Sequence, residues 1–249
     1  VYYPLQAMQK AGVEDVLIIS GPSHAGSFLT LLKSGDDCGL KLSYEIQEQP
    51  GGISQAIALA ESFAQNEKTL VILGDNIFLY DLGSTVKEFE KKEKGAMVFG
   101  VEMPTESRQY GVIEIDSNNK VLSIEEKPKA PKSNFAVPGL YVYDNEVVNI
   151  SKSIKPSPRG ELEITDVNNV YLEKEKLNVE KIGRGVAWLD TGTPESLLAA
   201  SNFFGVIEDR QGLKVACLEE IAYNKGFIDR KKFEAVSYTH LTLPTNREV

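Results

Sequence analysis

The chain has 249 residues, of which 42% are hydrophobic, and 36 acidic against 27 basic residues give a formal net charge of −9 at pH 7. This acidic balance argues against nucleic acid and against an anionic membrane surface as partners. No stretch reaches membrane-spanning length and no signal peptide is visible, so the cytoplasm is the expected location. Cys38 and Cys217 lie far apart without a CxxC motif, and neither a zinc site nor a disulfide framework is expected.

Helical and strand patterns alternate through the first third of the chain. Amphipathic segments alternate with short apolar runs that are rich in β-branched residues, as in parallel sheets buried on both faces. In chain order, starting with a helix, these segments are residues 5–11, 16–20, 28–33, 40–47, 53–65 and 69–73. This rhythm predicts an α/β fold with a Rossmann-like, mixed and mostly parallel sheet flanked by helices.

The second part of the chain changes to consecutive strands. After a helix at 82–92 and a strand at 96–101, strands are predicted at 111–116, 121–126 and 136–143, which indicates an antiparallel portion. Further helices are predicted at 161–174, 195–208 and 227–235. Without a repeat or a linker, residues 1–235 form one expected domain. Residues 236–249 show no helical periodicity and are interpreted as a non-native, adapter-like tail.

Two aspartates close two apolar runs. Asp75 follows residues 69–73, and Asp190 follows residues 186–189 and precedes Thr191-Gly192-Thr193. Carboxylates just beyond buried strands stand in the crevice where open α/β sheets bind ligands. Two hard oxygen ligands from separate strand ends suit a Mg²⁺ ion that also touches substrate phosphates. For each aspartate alone, capping of the next turn or helix is the alternative interpretation.

A glycine-rich turn joins a strand to a helix at residues 47–56. Gln47 has an amide that can pair with the edge of a base, and Gly52 lets the backbone approach a ligand closely. The alternative is an ordinary Pro-Gly turn.

Three further charged residues suit an anionic sugar substrate. Lys127 can neutralise phosphate, and Glu126 before it can accept hydrogen bonds from sugar hydroxyls, although a solvated charge cluster is the alternative. Arg159 precedes an acidic helix start, where a cation is unfavourable unless an anion lies nearby.

Five ordered motifs together resemble the sugar nucleotidyltransferases, over roughly residues 1–236. They begin at Gly74-Asp75-Asn76, Gln109-Tyr110-Gly111, Glu125-Glu126-Lys127, Gly160-Glu161-Leu162 and Trp188-Leu189-Asp190. The match is best with members that transfer a thymidylyl group. The resemblance implies that dTTP and α-D-glucose 1-phosphate react to give dTDP-glucose and pyrophosphate, the first step towards dTDP-rhamnose and related deoxysugars of cell-surface polysaccharides.

The resemblance also implies a role for each matching residue. The Mg²⁺ ligands would be Asp75 and Asp190. The nucleotide contacts would be Gln47, Gly52 and Asp75. The glucose pocket would be lined by Gly111, Glu126, Val137 and Gly139. The catalytic cations on the sugar phosphate would be Lys127 and Arg159. Members of this family are usually homotetramers with a second, regulatory nucleotide site, to which Gly183-Arg184 is assigned.

Two other functions remain open at this stage. A sister enzyme would use UTP, CTP or GTP with another sugar phosphate, although Gln47 and the Gln-x-x-Pro-x-Gly spacing favour thymidylyl transfer. A non-catalytic sugar-nucleotide-binding module is expected to lose one of the metal carboxylates, whereas Asp75 and Asp190 are both present.

One departure from the family generates a prediction. The family begins with a strand and a Gly-x-Gly-Thr-Arg loop whose backbone N–H groups hold the triphosphate, and the chain as given starts after this segment. We therefore expect a fragment, truncated at the N-terminus and also at the C-terminus, without measurable pyrophosphorylase activity. Losing a single preorganised donor costs about 3 kcal/mol of transition-state stabilisation.

The measurement is pyrophosphate release from dTTP and glucose 1-phosphate. It compares the chain with the same chain preceded by a Gly-x-Gly-Thr-Arg segment of a family member, hereafter the extended chain. Equal rates from the two proteins would show that the phosphate site lies elsewhere.

Overall fold

The computed structural model describes residues 1–92, 94–103 and 107–240. The helices are α1 (Tyr2–Ala11), α2 (Pro22–Leu32), α3 (Ile53–Leu59), α4 (Glu61–Ala64), α5 (Leu82–Glu90), α6 (Val147–Ser153), α7 (Ile164–Glu173), α8 (Pro194–Gln211), α9 (Leu218–Lys225) and α10 (Arg230–His240). The strands are β1 (Asp15–Ser20), β2 (Lys41–Ile46), β3 (Thr69–Ile72), β4 (Asn76–Phe78), β5 (Ala96–Glu102), β6 (Gly111–Ile115), β7 (Val121–Glu126), β8 (Phe135–Val137), β9 (Leu140–Tyr143), β10 (Leu177–Ile182) and β11 (Trp188–Asp190). Among these residues, no helix combines the length and the hydropathy that crossing a membrane requires.

A seven-stranded sheet organises the molecule. Strand β5 is central, with β10 parallel on one side and β9 followed by β8 antiparallel on the other. Strand β9 also pairs with β3, and β8 continues through β6 to β7. Two smaller sheets are formed by β1 with β2 and by β4 with β11.

The predicted mixed α/β class is confirmed, but the pairing differs from a mostly parallel sheet. Of the eight strand pairs in the described residues, only β1 with β2 and β5 with β10 are parallel. The physical reason is the β8–β9 segment, which enters between β3 and β5 and runs opposite to both. The predicted antiparallel portion is present as β6, β7 and β8.

Helices pack on both faces of this sheet because successive side chains of its central strands point alternately into two hydrophobic cores. In β5, Ala96 and Val98 face the core that includes Val167 and Tyr171 of α7. The intervening residues of β5, like Leu140 and Val142 of β9, belong to the core formed with α1 and α5. Alternate residues of a strand point to opposite faces, so these continuous apolar runs are buried on both sides.

Two predicted elements divide where the backbone changes direction. The predicted helix 53–65 is split into α3 and α4 at Ala60, and the predicted strand 136–143 is split into β8 and β9 by Pro138 and Gly139. Helix α10 continues to His240, into the segment interpreted as a tail, whose last residues, 241–249, lie outside the described part.

Both cysteines lie in the interior and are free. Burial is the main cause that raises the pKa of the Cys38 and Cys217 thiols to about 11. At neutral pH they are therefore protonated and unreactive.

Glu146 organises a cluster of lysines at the start of α6. Its carboxylate accepts hydrogen bonds from Lys94 at 2.8 Å and Lys174 at 3.1 Å, and Lys176 lies 3.9 Å away. These lysines hold the pKa of Glu146 at about 2, below its ordinary value of 4.5. The carboxylate thus stabilises the fold above its ordinary pKa, and this contribution is lost as the pH falls from about 4.5 towards 2.

Glu146→Gln is expected to lower the free energy of unfolding at pH 7 by up to about 1 kcal/mol, the scale of exposed ion pairs. The difference from the unmodified chain should shrink at pH 3. Urea unfolding at both pH values measures it. Glu175→Gln is the control, because Glu175 is 82% exposed and its ion pair with Lys120 is 3.7 Å long. A loss that is the same at pH 7 and pH 3 would contradict the electrostatic cause.

Candidate active site

The β4–β11 pair brings the two predicted metal aspartates together. Its register sets Asp190 opposite Asn76, the residue after Asp75. The connection is reinforced by Thr191, whose backbone N–H and hydroxyl both donate to the carbonyl of Asp75 at 2.8 Å. Two aspartates that are 115 positions apart in the sequence thus emerge side by side, as their positions after apolar runs predicted.

Asn76 is buried at the centre of this junction. Its side-chain oxygen accepts hydrogen bonds from the indole of Trp188 at 2.7 Å and from the backbone N–H of Gly139 at 3.0 Å. Its amide nitrogen donates to Oδ1 of Asp75 at 2.7 Å. One buried carboxamide therefore orients the first aspartate and ties it to both β11 and the β8–β9 turn.

The space beside the two carboxylates suits a divalent cation. Asp190 Oδ1 accepts from the Gly192 N–H at 2.8 Å, and the second oxygen of each aspartate has no hydrogen-bond partner among the described residues. A Cβ at Gly192 would lie 3.1 Å from Asp190 Oδ1 and 3.5 Å from Asp75 Oδ2, so both carboxylates border a space that this glycine leaves open. In the described part no third acidic, His or Cys side chain joins these two carboxylates, so water and substrate oxygens would have to fill the remaining positions around a divalent cation.

Glu126 forms the polar wall of the predicted sugar pocket. Thr165, in the first turn of α7, donates to its Oε2 at 2.6 Å. Gly111 lies against this pair and against Val137, since a Cβ there would be 3.5–3.7 Å from all three side chains. One carboxylate oxygen of Glu126 is thus held by Thr165, and the space beside it is free because Gly111 has no side chain.

Arg159 is surrounded by carboxylates. Its guanidinium lies 3.3 Å from Glu161 and 3.8 Å from both Glu126 and Glu163. Helix α7 begins at Ile164 rather than at the predicted residue 161, so Arg159 lies five residues before the helix, and the carboxylates rather than the helix dipole determine its surroundings. Lys127 has no ion pair among the described residues, and its positive φ of 42° turns the chain sharply after β7.

The glycine-rich turn packs against the segment before α7. Gly52 has a φ of 97°, and a Cβ there would lie 2.5 Å from the carbonyl oxygen of Leu162. Only glycine fits this position. The side chain of Gln47 donates from Nε2 to the carbonyl of Gly52 at 3.1 Å, which holds the predicted base-reading amide over the turn.

The structure assigns Gly139 a packing role in addition to lining the cavity. Its N–H donates to Asn76 and its carbonyl accepts from Leu73 at 2.9 Å, so both backbone groups are already paired. A Cβ there would lie 2.5 Å from the Leu73 side chain. Glycine therefore lets β3 approach the β8–β9 turn.

One cavity of about 1400 Å³ connects the parts of this site. Its lining includes every predicted site residue: Gln47, Gly52, Asp75, Gly111, Glu126, Lys127, Val137, Gly139, Arg159 and Asp190. The cavity continues between β1 and β3, whose facing edges make no strand pairing within the described residues. Gly183 and Arg184, predicted for a second nucleotide site, lie between β10 and β11 and do not line it.

Three residues of the site were missed by sequence reasoning. Asn76 and Thr165 act through hydrogen bonds to Asp75 and Glu126. Asn76 stands in the motif that pointed only to Asp75, and Thr165 stands in the motif that begins at Gly160, from which no acidic site residue was assigned. Tyr141 is buried in β9 and lines the cavity. Burial, and then the nearby carboxylates of Glu126 and Asp75, raise its pKa, so its hydroxyl stays protonated. The sequence feature that could have indicated Tyr141 is its position two residues after Pro138-Gly139, which interrupt the predicted strand.

Comparisons with known proteins agree with this geometry. Residues 1–206 match the model of the family described as nucleotidyl transferase. Glucose-1-phosphate thymidylyltransferase of Mycolicibacterium smegmatis is 49% identical over 231 residues, which cover 92% of this chain and 79% of that protein. The protein of the same name from Neisseria meningitidis is 45% identical over 240 residues, covering 96% and 83%.

Solved structures show the same fold. The crystal structure of a candidate glucose-1-phosphate thymidylyltransferase from Bacillus anthracis, in complex with sucrose, superposes with a TM-score of 0.76 at 40% identity. It covers 82% of this chain and 81% of that one. A UDP-glucose pyrophosphorylase complexed with UDP-glucose has a TM-score of 0.71 at 24% identity, covers 82% and 85%, and supports the fold alone.

Proposed function

The chain belongs to the nucleotidyl transferase family, and on this basis we propose that it transfers the thymidylyl group of dTTP to α-D-glucose 1-phosphate. The products are dTDP-glucose and pyrophosphate. The observation that carries the proposal is the single cavity that holds a base-reading amide, a carboxylate pair, a sugar-facing carboxylate and two cations. The names of the relatives support this choice of nucleotide and sugar.

The reaction needs positioning and charge neutralisation rather than a general base. A phosphate oxygen of glucose 1-phosphate is already ionised at neutral pH and attacks the α-phosphorus of dTTP in line. A new bond forms between this oxygen and the α-phosphorus, while the bond from the α-phosphorus to the oxygen that bridges to the β-phosphorus breaks. Its electron pair leaves with pyrophosphate. The absence of a Ser/His/Asp arrangement from the proposed machinery is consistent with this chemistry.

The cations would hold the sugar phosphate during this step. Lys127 lines the cavity beside Glu126 and is a compact point charge for phosphate. Arg159 would exchange part of its carboxylate contact for the phosphate, since its three acidic partners are 3.3–3.8 Å away. Glu126, held by Thr165, would accept hydrogen bonds from glucose hydroxyls, with Gly111, Val137 and Gly139 forming the wall.

Asp75 and Asp190 would hold the divalent ion, which we propose is Mg²⁺. When bound, it neutralises charge on the phosphates of the nucleotide. Asn76 keeps Asp75 oriented, and Gly192 keeps the space beside the two carboxylates open.

The wider setting is proposed from the substrates and the surface. Nucleoside triphosphates and sugar phosphates are cytoplasmic metabolites, which favours that compartment. The family resemblance supports a role in dTDP-rhamnose formation, because dTDP-glucose is its first intermediate. A homotetramer is proposed from the family resemblance, and the apolar side chains exposed on α8, where Leu197, Leu198 and Val206 are 54%, 62% and 63% exposed, offer a surface for contacts between subunits.

The test of the function is pyrophosphate release by the extended chain with glucose 1-phosphate and each of dTTP, UTP, CTP and GTP. We expect the highest kcat/KM with dTTP, and dTDP-glucose as the product identified by mass spectrometry. A clear preference for another nucleotide would assign a sister activity. Sugar-nucleotide binding without any turnover would identify a non-catalytic binding module instead.

In the extended chain, Asp75→Asn and Asp190→Asn are each expected to lower kcat on the order of 10²-fold or more, because a lost charge weakens the hold on the metal. Asparagine keeps an oxygen that can accept the existing hydrogen bond from Asn76 or Gly192, so the fold should persist. The control is Glu125→Gln, whose carboxylate pairs with Lys132. Near-normal turnover in both aspartate variants would remove the metal assignment.

A further inference from the structure

Gln55, in the first turn of α3, contacts the amide proposed to read the base. Its Oε1 accepts a hydrogen bond from Gln47 Nε2 at 2.6 Å and another from the backbone N–H of Gly51 at 3.1 Å. Gln47 Nε2 also donates to the Gly52 carbonyl at 3.1 Å. Both N–H bonds of the Gln47 amide are therefore used within the protein.

Backbone groups at both ends determine which way the two amides face. The Gly51 N–H is a donor, so the Gln55 atom beside it is the oxygen, and the Gly52 carbonyl is an acceptor, so the Gln47 atom beside it is the nitrogen. Turning either amide over would set donor against donor or acceptor against acceptor. Gln47 Oε1, the one polar atom of this side chain without a partner among the described residues, is left to face a ligand.

The glycine turn is shaped around Gln55. A Cβ at Gly51 would lie 2.6 Å from both Cδ and Oε1 of Gln55 and 2.7 Å from its Nε2. The first glycine of the turn therefore makes room for the Gln55 amide, as the second makes room for Leu162. This close fit accompanies the hydrogen bond from the Gly51 N–H to Gln55 Oε1, since both place the Gln55 amide directly over the glycine.

An amide that offers only an acceptor discriminates between pyrimidines. Thymine and uracil carry a hydrogen on N3 and can donate to Gln47 Oε1, whereas N3 of cytosine is itself an acceptor. A site built for one hydrogen-bond pattern rejects the base that would leave a polar group unpaired. We propose that Gln55 is a specificity-determining positioning residue, which holds Gln47 as an acceptor and thereby excludes cytosine nucleotides. This inference rests on the proposed function, in which Gln47 contacts the base.

The test compares Gln55→Leu with Gln55→Glu. Leucine cannot accept a hydrogen bond, so one N–H of Gln47 is freed for cytosine N3, and the preference for dTTP over CTP should fall about tenfold. The preference for dTTP over UTP should not change, because both bases present N3–H. Glutamate keeps acceptor oxygens for Gln47 and Gly51. It should therefore retain the preference for dTTP over CTP, even if its charge lowers the affinity for all three nucleotides by the same factor.

The measurements are Kd by calorimetry for dTTP, UTP and CTP with Mg²⁺, and kcat/KM, both on the extended chain. Gln49→Leu, an exposed glutamine of the same loop, is the matched control. Failure of the extended chain without further substitutions to bind dTTP contradicts the proposed function. Binding of dTTP with a dTTP-to-CTP ratio that is equal in Gln55→Leu, Gln55→Glu and the extended chain without further substitutions overturns this inference alone. An equal weakening of all three nucleotides by leucine also overturns it, since that pattern indicates a structural role only.

Discussion

The carboxamide of Asn76 is the interaction on which the arrangement of the site depends. It is buried, with 4% of its surface exposed, and it joins β4, β11 and the β8–β9 turn through hydrogen bonds of 2.7–3.0 Å. Leaving a buried donor or acceptor without its partner costs about 1–3 kcal/mol, so these segments are held in one relative position. The carboxylates proposed to bind the metal and the residues proposed to line the sugar pocket, which come from distant parts of the chain, are thereby held in fixed positions relative to each other.

The proposed substrates are anionic and the protein itself is acidic, so the negative charges inside the cavity need partners. The chain has a net charge of −9, and the acidic side chains that line the cavity include Asp75, Asp190, Glu126 and Glu163. Of these four, the aspartates border the proposed cation site, and the glutamates each lie 3.8 Å from Arg159. We therefore expect the positions of the proposed phosphate-binding cations, Lys127 and Arg159, to matter more than the overall charge.

Periodicity predicted elements well where one pattern continued unbroken. Strand β7 has the predicted bounds, 121–126, and α5 begins at the predicted Leu82. Helix α6 and strand β10 were not identified, since α6 has only seven residues and β10 carries Asn178 and Lys181 among its apolar positions. The relative direction of the strands could not be predicted from the local sequence pattern either. Strand β9 pairs with β3 and with β5, and these pairs join residues about 70 and 45 positions apart.

The sequence by itself determined the fold class, the family and the ten residues that meet at the cavity, because motif residue types and their order are local properties of the chain. Only the tertiary structure decided which atoms of those residues are free. Both N–H groups of the Gln47 amide are bound to Gln55 and Gly52. The guanidinium of Arg159 is shared among three carboxylates, and the backbone N–H of Gly139 is hydrogen-bonded within the protein. These outcomes depend on distance and angle between groups brought together by folding, and hydrogen bonds of this kind have no signature in the order of the residues.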